Sequence, residues 1–588
     1  MAGSSVLNQR QHVGLQKLVA LSGITTAFLG PSKTYKIIQD DVTGESTLVS
    51  SCHRLLQNLE LTCAVGQLVY ETVEAHHTRY KTGSGCLLFM AGAWARAALE
   101  CLHRGIPIVH IISAMSEGMD LCLSVCKQCR IPPIELDPKQ TTPTNVKDST
   151  KRRPVSVSTK THIKLKLSRH FQEPELKKAT PNSNSAEPRL ANIARTLSHG
   201  HSETMDLVVK ASLIQDKQDL PFDIDKISTC LLPGSSESRA CVLPGCVVSV
   251  CPEKAVISRH LQGRDLKVAL INGDLTPAYR HLGYNKPKGL QRVADSLSSD
   301  NATDEWLERV VRLLLDLDVN ILLISGIADG ALKNQFWKHH ILVVEKMRLS
   351  VLKTFTLSTG AILVSYATQL NSRCVKSGVS VNVWKDGSNF ATCETLLNIS
   401  TDTKSGLATV VLTSWVEGKL PCEEDAFWAC AYRLHWALKD AFLLPGVGGT
   451  ELLCIRQLQE QAGVYANSCK PVPLMNPRSA AGPDRGVVLQ LMAEGLMDFV
   501  SGVMVNTGEF SKVEARTVAV ERLRGWDGRV NRAEMNGDHE SRICDNLSVK
   551  QEAWRTALDL VFLVLQTDAE IITGVGQERS GQKELMFL

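Results

Sequence analysis

Along its 588 residues the chain changes texture twice, and that order constrains the fold more than any other feature. It begins helical: between residues 58 and 80, Leu59, Leu61, Ala64, Val65, Leu68, Val69 and Val73 recur at helical spacing. Residues 86–103 are apolar on most sides, with Leu87, Leu88, Phe89, Trp94 and Leu99, and such a helix must be enclosed by others. After Gly105-Ile106-Pro107 another helix runs to about Cys129. From about Phe222 the pattern becomes α/β. Apolar runs at 242–250, 266–271, 319–324, 340–344 and 361–366 read as strands, with helices at 305–317 and 348–357 between them. Residues 409–413 make one more strand, and helical texture returns at 423–439, 450–462, 487–500 and 550–566. A helical start and a helical end around an α/β middle predict one domain built from both termini, with the rest inserted into it. The length divides into about three domains.

One segment stands apart. Residues 137–189 carry six prolines and 12 Lys/Arg against 5 Asp/Glu, a local charge of +7. The whole chain sums to +4, so the remainder is slightly acidic and overall basicity gives no nucleic-acid surface on the folded body. That stretch lacks the apolar surface to offset its ordering entropy and is expected to be a disordered basic insert. Met1-Ala2-Gly3-Ser4-Ser5 shows no signal pattern. No apolar run reaches the roughly 18 residues of a membrane span, because Arg96 interrupts the strongest one. The 18 cysteines are expected as reduced, packed thiols of a soluble cytosolic protein.

Several local motifs have bland readings. Cys122-x₃-Cys126-x₂-Cys129 has the spacing of an iron–sulfur ligand set, but it falls at the end of an amphipathic helix, where buried structural thiols are expected. Gly30-Pro31-Ser32-Lys33-Thr34 imitates the tail of a P-loop without glycine at Ala27 or Ser32. The adjacent pairs His76-His77 and His339-His340 diverge by about 100° on a helix and chelate poorly. Lys151-Arg152-Arg153 reads as a solvated charge cluster. Trp428 and Trp436, eight apart in one helix, share a broad face and are expected to pack a hinge.

Ordered runs along the chain carry a family resemblance. Arg433-Leu434-His435-Trp436-Ala437-Leu438, followed by Leu444-Pro445-Gly446-Val447-Gly448-Gly449-Thr450-Glu451, resembles the "SLHDAL … VPGGGATE" run of group II (TCP-1/CCT-like) chaperonins. Leu29-Gly30-Pro31 with Lys36 resembles that family's LGP-x-G-x-D-K loop, and Leu266-Lys267-Val268-Ala269-Leu270-Ile271-Asn272 its "PKIALLN". Gly326-Ile327-Ala328-Asp329 and Thr359-Gly360-Ala361 match further runs in the same order. Leu61-Thr62-Cys63-Ala64, Met115-Ser116-Glu117-Gly118, Arg280-His281-Leu282-Gly283-Tyr284-Asn285, Ala553-Trp554-Arg555 and Glu570-Ile571-Ile572-Thr573-Gly574 are similar to a divergent branch, the chaperonin-like Bardet–Biedl syndrome proteins of vertebrates.

The resemblance implies an α/β multi-domain group II chaperonin subunit. Its helical equatorial domain would come from 1–133 and 440–588, its α/β apical domain from 221–372, and its intermediate connector from 190–220 and 373–439, with the insert at 134–189. It implies a degenerate nucleotide pocket at Gly30, Pro31, Gly83, Gly446 and Gly448, with ATP the possible ligand. The family's aspartates fall on Trp436 and Thr82, so no catalytic or metal-holding residues are expected: an indole offers one N–H donor and cannot hold Mg²⁺ or orient water. The loop's second glycine becomes Lys33 and its aspartate Tyr35, while the acidic NDG turn falls on Ser50-Ser51-Cys52. The implied role is non-hydrolysing assistance to assembly of the BBSome for cilium formation. The partners implied are related Bardet–Biedl and McKusick–Kaufman syndrome proteins, CCT/TRiC subunits and BBSome subunits as clients, in the cytoplasm near the centrosome and basal body. A freestanding ciliary-base scaffold and an ATP-driven subunit with a rearranged site remain alternatives.

Overall fold

The computed structural model describes residues 6–7, 12–42, 44–132, 186–216, 221–279, 296–383, 395–401, 405–467, 482–525, 543–568 and 571–572. Nearly all of the basic insert, Lys151-Arg152-Arg153 and the Arg280–Asn285 run therefore lie outside the described residues.

In chain order, strand β1 (Val6–Leu7) precedes helix α1 (Val13–Ile24), a hairpin of β2 (Lys36–Gln39) and β3 (Ser46–Val49), and α2 (Cys52–Gln57). Three long helices follow: α3 (Ala64–Tyr80), α4 (Ser84–His103) and α5 (Ile108–Gln128). Helix α3 starts where the Cys63 thiol accepts the Gly66 N–H, so Leu59 and Leu61 precede the helix that their spacing seemed to extend. Helix α4 is enclosed as its all-round apolarity requires, with Leu87, Leu88, Met90 and Trp94 fully buried. Its Gly92 is needed for close packing on α1, since a Cβ there would stand 1.7 Å from Ser22 Oγ.

Helices α6 (Ala186–Thr196) and α7 (Ser202–Asp216) lead into strands β4 (Ile227–Pro233), β5 (Cys241–Pro244) and β6 (Cys246–Val250). Next come α8 (Pro252–Leu261), β7 (Leu266–Ile271), α9 (Ser296–Asp316), β8 (Ile321–Ile324), α10 (Gly330–Lys338), β9 (Leu342–Val344), α11 (Leu349–Thr359) and β10 (Leu363–Val364). Strands β11 (Lys376–Val383), β12 (Thr395–Thr401) and β13 (Ala408–Ser414) precede the 21-residue helix α12 (Leu420–Asp440). The chain closes with β14 (Leu443–Pro445), α13 (Gly449–Asn467), α14 (Gly482–Asn506), α15 (Lys512–Gly525), β15 (Cys544–Asn546), α16 (Leu547–Gln566) and β16 (Ile571–Ile572).

Both ends of the chain build one helical body. A single apolar core draws residues from Leu15 to Cys129 and from Leu444 to Leu565, including the buried Trp94 and Trp554, and β1 pairs with β16. Fully burying each such aliphatic side chain contributes about 1.5–3 kcal/mol, which is why segments so distant in sequence hold together. Helices α4, α5 and α14 are, by length and composition, apolar enough to cross a membrane, contrary to the sequence expectation. Of these apolar windows 72% of that in α4, 56% of that in α14 and 44% of that in α5 is buried inside the protein.

A seven-stranded sheet, with order β6-β12-β11-β7-β8-β9 and β10 beside β7, forms the α/β body. Its parallel strands β7, β8 and β9 are buried throughout or nearly so, as continuous apolar runs covered on both faces should be. Separate apolar cores line the two sides. Between the bodies sits a connector: α6, α7 and α12 packed on the three-stranded sheet β4-β13-β5.

Two boundaries drawn from sequence are displaced. Strands β11 and β12, assigned to the 373–439 connector segment, hydrogen-bond into the large sheet. Strands β4 and β5, assigned to the 221–372 domain, pair with β13 in the connector. The expected strand at 242–250 is two strands in two sheets. They divide at Gly245, whose φ of +92° turns the chain out of one sheet and into the other. Strand periodicity marks a strand but does not name its partner, which here lies well over a hundred residues away.

Candidate functional site

Where α12 runs alongside the helical body, a cavity of about 510 Å³ opens between them. Gly30, Pro31, Gly83 and Gly448, singled out from sequence, all line it, as do Lys33, Tyr35, Thr82 and Ser50-Ser51-Cys52. Gly446 stands just behind the wall, where its N–H donates to the Ile543 carbonyl at 3.0 Å. Gly30, Gly83 and Gly448 have φ of +80°, +85° and +79°, so these turns need glycine. Val447, between two of them, is held at φ +53°, a conformation costing a β-branched residue about 1–2 kcal/mol or more. The strain sits at the cavity wall.

Four carboxylates line the cavity among the described residues, and each is engaged by a cation of the chain itself. Asp425 accepts both Arg54 Nε (2.8 Å) and Nη2 (2.7 Å), and also Ser51 Oγ (2.9 Å). This bidentate pair ties α12 to α2. Glu423 pairs with Lys419 at 3.2 Å, and Lys419 also reaches Glu237. Lys550, buried on α16, bridges Glu451 (2.5 Å) and Asp545 (2.6 Å). Burial works against the Lys550 charge, yet Asp545 and Glu451 hold its pKa well above the usual range. The Asp545 carboxyl, disfavoured by burial, is pulled down chiefly by Lys550.

The remaining cations have no carboxylate partner among the described residues. Lys33 makes no ion pair; burial and the facing Arg433 push it down to about 8. Lys81 is lowered by burial. Arg433 donates to the Leu197 (2.6 Å), Ser198 (3.0 Å) and Ala429 (3.1 Å) carbonyls. Histidines complete the wall as neutral groups. Burial holds His201 and His77 at about 3 and His199 at about 4, with Lys33 adding to the effect at His201 and His53 at His77. His201 Nε2 is buried and without a partner.

Chemically, this set does not fit Mg²⁺, which needs free hard oxygens. Glu451 Oε2 is the one fully buried carboxylate oxygen in the wall without a hydrogen-bond partner among the described residues, and the Lys550 ammonium on its sister oxygen repels a second cation. The set does fit an anion, which Lys33, Lys81 and His201 face. Trp436 is not part of the wall. Its ring packs on Tyr80 (centroids 4.8 Å apart) and Val549, with the Lys439 ammonium 4.5 Å above it.

Trp428 takes a different direction from Trp436. The Arg348 guanidinium stacks 4.0 Å from its ring and its Nε1 faces Glu424, so the two indoles serve different bodies rather than one hinge face. His76 bonds the Thr82 carbonyl, His77 stacks on His53 at 3.7 Å, and His340 lies against His260. Cys122, Cys126 and Cys129 are buried in the helical core, where Cys454 Sγ approaches the Cys122 carbonyl at 3.8 Å. No group of three metal-binding side chains converges among the described residues.

Sequence reasoning missed Arg54, Asp425, Arg433, His199, His201 and Lys550. A signal existed for one face: Cys422, Asp425, Ala429 and Arg433 recur at helical spacing on α12 and all line the cavity. For the rest there was none, since Arg54 and Asp425 lie 371 residues apart.

Residues 165–574 match the model of the TCP-1/cpn60 chaperonin family. The chain is 31% identical to the human "Chaperonin-containing T-complex member BBS12", over 99% of this chain and 98% of that protein. It is also 31% identical to its Xenopus laevis counterpart, over 96% of each. It is 23% identical to the mouse "Molecular chaperone MKKS", over 74% of this chain and 68% of that protein.

Proposed function

The chain belongs to the TCP-1/cpn60 chaperonin family, and we propose that it acts there as a non-hydrolysing, chaperonin-like subunit that assists assembly of the BBSome. The carrying observation is the neutralised cavity: among the described residues every carboxylate on its wall already pairs with Arg54, Lys419 or Lys550, and Trp436 is not part of that wall. Without free carboxylates, neither metal capture nor water activation has a residue to perform it, and losing such groups costs about 10² or more each in rate. Likeness to a T-complex member and to MKKS supports kinship with such chaperonin-like proteins; the proposed role extends this to work in a hetero-oligomer with such relatives and with CCT subunits, in the cytoplasm near the ciliary base.

Affinity purification of the tagged chain from ciliated cells, resolved by size, tests this. Co-elution with chaperonin-like relatives, CCT subunits and a BBSome component, together with no phosphate release from Mg²⁺-ATP, is expected. Elution as a small species carrying none of them refutes the assembly role, and turnover refutes the non-hydrolysing one.

A further inference from the structure

We infer that Cys126 and Cys454 form a redox modification site, at which a hydroperoxide oxidises the pair to a disulfide joining α5 to α13. Sequence spacing singles out Cys122, Cys126 and Cys129, but the partner that gives them chemistry comes from the other end of the chain. Cys454, on α13, is fully buried and packs into the same apolar core as those three. Its Sγ stands 3.8 Å from the Cys122 carbonyl oxygen, and its thiol is hydrogen-bonded with the Cys126 and Cys122 thiols. Cys122 and Cys126 are one turn apart on α5, so both meet α13 from the same face. Cys129 is otherwise engaged: its Sγ approaches the Cys126 carbonyl oxygen at 3.8 Å, and it bonds the Thr450 side chain. All four are free thiols.

Buried cysteines commonly serve as small packing groups, and burial pushes Cys52 and Cys246 up to about 12. Cys126 is buried as fully and moves the other way. The Cys454 thiol donates to it, and the Lys550 ammonium and the Gln551 side chain favour its thiolate further. Cys454 itself is held up by burial and by its two sulfur neighbours, so it stays protonated. A nucleophilic sulfur therefore touches a thiol, the arrangement that dithiol oxidation needs. Glu451 and Lys550 line the cavity beside α12, and Cys126 lies close enough to feel both charges, so an oxidant little larger than water has a way in. With hydrogen peroxide, the Cys126 thiolate forms an S–O bond as the O–O bond breaks, and the departing hydroxide takes the proton that Cys126 shed. The Cys454 sulfur then forms the S–S bond as the S–O bond breaks, and that oxygen leaves as water with the Cys454 proton. The two thiols lose two electrons and the peroxide becomes two waters. The bond adds a covalent tie between the two terminal segments of the helical body, one turn along α13 from Glu451.

The test uses the full-length chain, reduced and then given stepwise equivalents of hydrogen peroxide. After blocking with iodoacetamide, linked peptides are quantified by mass spectrometry, and melting is followed by scanning fluorimetry. A Cys126–Cys454 link is expected at doses that leave most other thiols open to iodoacetamide. Dithiothreitol should reverse it, and the linked form should melt about 5 °C or more higher. Cys126→Ser and Cys454→Ser should each abolish the link, whereas Cys122→Ser should keep it and controls for disturbance of the same core. In Cys454→Ser the stranded sulfenic acid on Cys126 should take up dimedone. No link in the native unaltered chain at doses that oxidise the exposed Cys251 overturns the inference. So does a link that forms only after unfolding in urea, or one that persists in Cys126→Ser. The first two results are read on the unaltered chain and stand even where a variant fails to fold.

Discussion

Replacing Trp436 by aspartate restores the residue that the family resemblance places there, and the structure says that activity will not return. The indole is only 8% exposed and packs on Tyr80 and on the cavity-lining Val549, without itself lining the cavity. Truncating a buried tryptophan costs about 3–5 kcal/mol, and the lost ring pair with Tyr80 adds about 0.5–1.5 kcal/mol. The new carboxylate gains some attraction from Lys439, whose ammonium now sits over the ring, and this offsets part of the loss. A net destabilisation of roughly 3 kcal/mol corresponds to a melting shift of about 6–12 °C in a body of this size. Trp436→Asp should therefore melt earlier by differential scanning fluorimetry and release no phosphate from Mg²⁺-ATP. Measurable turnover, or an unchanged melting temperature, would refute the argument that this side chain is a packing group beside the cavity.

Three further outcomes follow from the same wall. Lys550→Met leaves Glu451 and Asp545 buried without their cation and should cost about 3–5 kcal/mol in urea denaturation; the triple change with Glu451→Gln and Asp545→Asn should recover part of it, and no recovery would mean that packing rather than charge was lost. His76, His77, His199 and His201 are held at about 4, 3, 4 and 3 by burial, whereas the unfolded chain protonates near 6.5. Their contribution to stability is complete above about pH 6.5 and is lost as pH falls toward 4. The melting temperature should drop between pH 7 and 5, and His77→Gln with His201→Gln should flatten that slope. Helix α12 is pinned to the helical body by Arg54–Asp425 and by the Asn546 amide on the Arg433 carbonyl. Its amides should exchange slowly, and Arg54→Ala should speed them; fast exchange in the unaltered chain would show that the junction flexes.

What the sequence determined is whatever depends on neighbours a few residues apart. The all-round apolarity of residues 86–103 marked a buried helix, observed at Ser84–His103, and the run 266–271 marked β7 to the residue. The helical ends around an α/β middle fixed a body built from both termini. Gly30, Gly83 and Gly448 announced their turns because positive φ is a local demand. Only the tertiary structure decided which sheet received β5, β11 and β12, because alternation gives a strand its faces and not its partner. It also decided that Trp436 turns to Tyr80 and Trp428 to Arg348, since helical spacing fixes a direction around α12 and not what waits there. Above all it decided the charge state of the cavity. Whether Asp425 is free to bind a metal depends on Arg54, 371 residues earlier, and Coulomb's law acts over ångströms in space, to which distance along the chain is no guide.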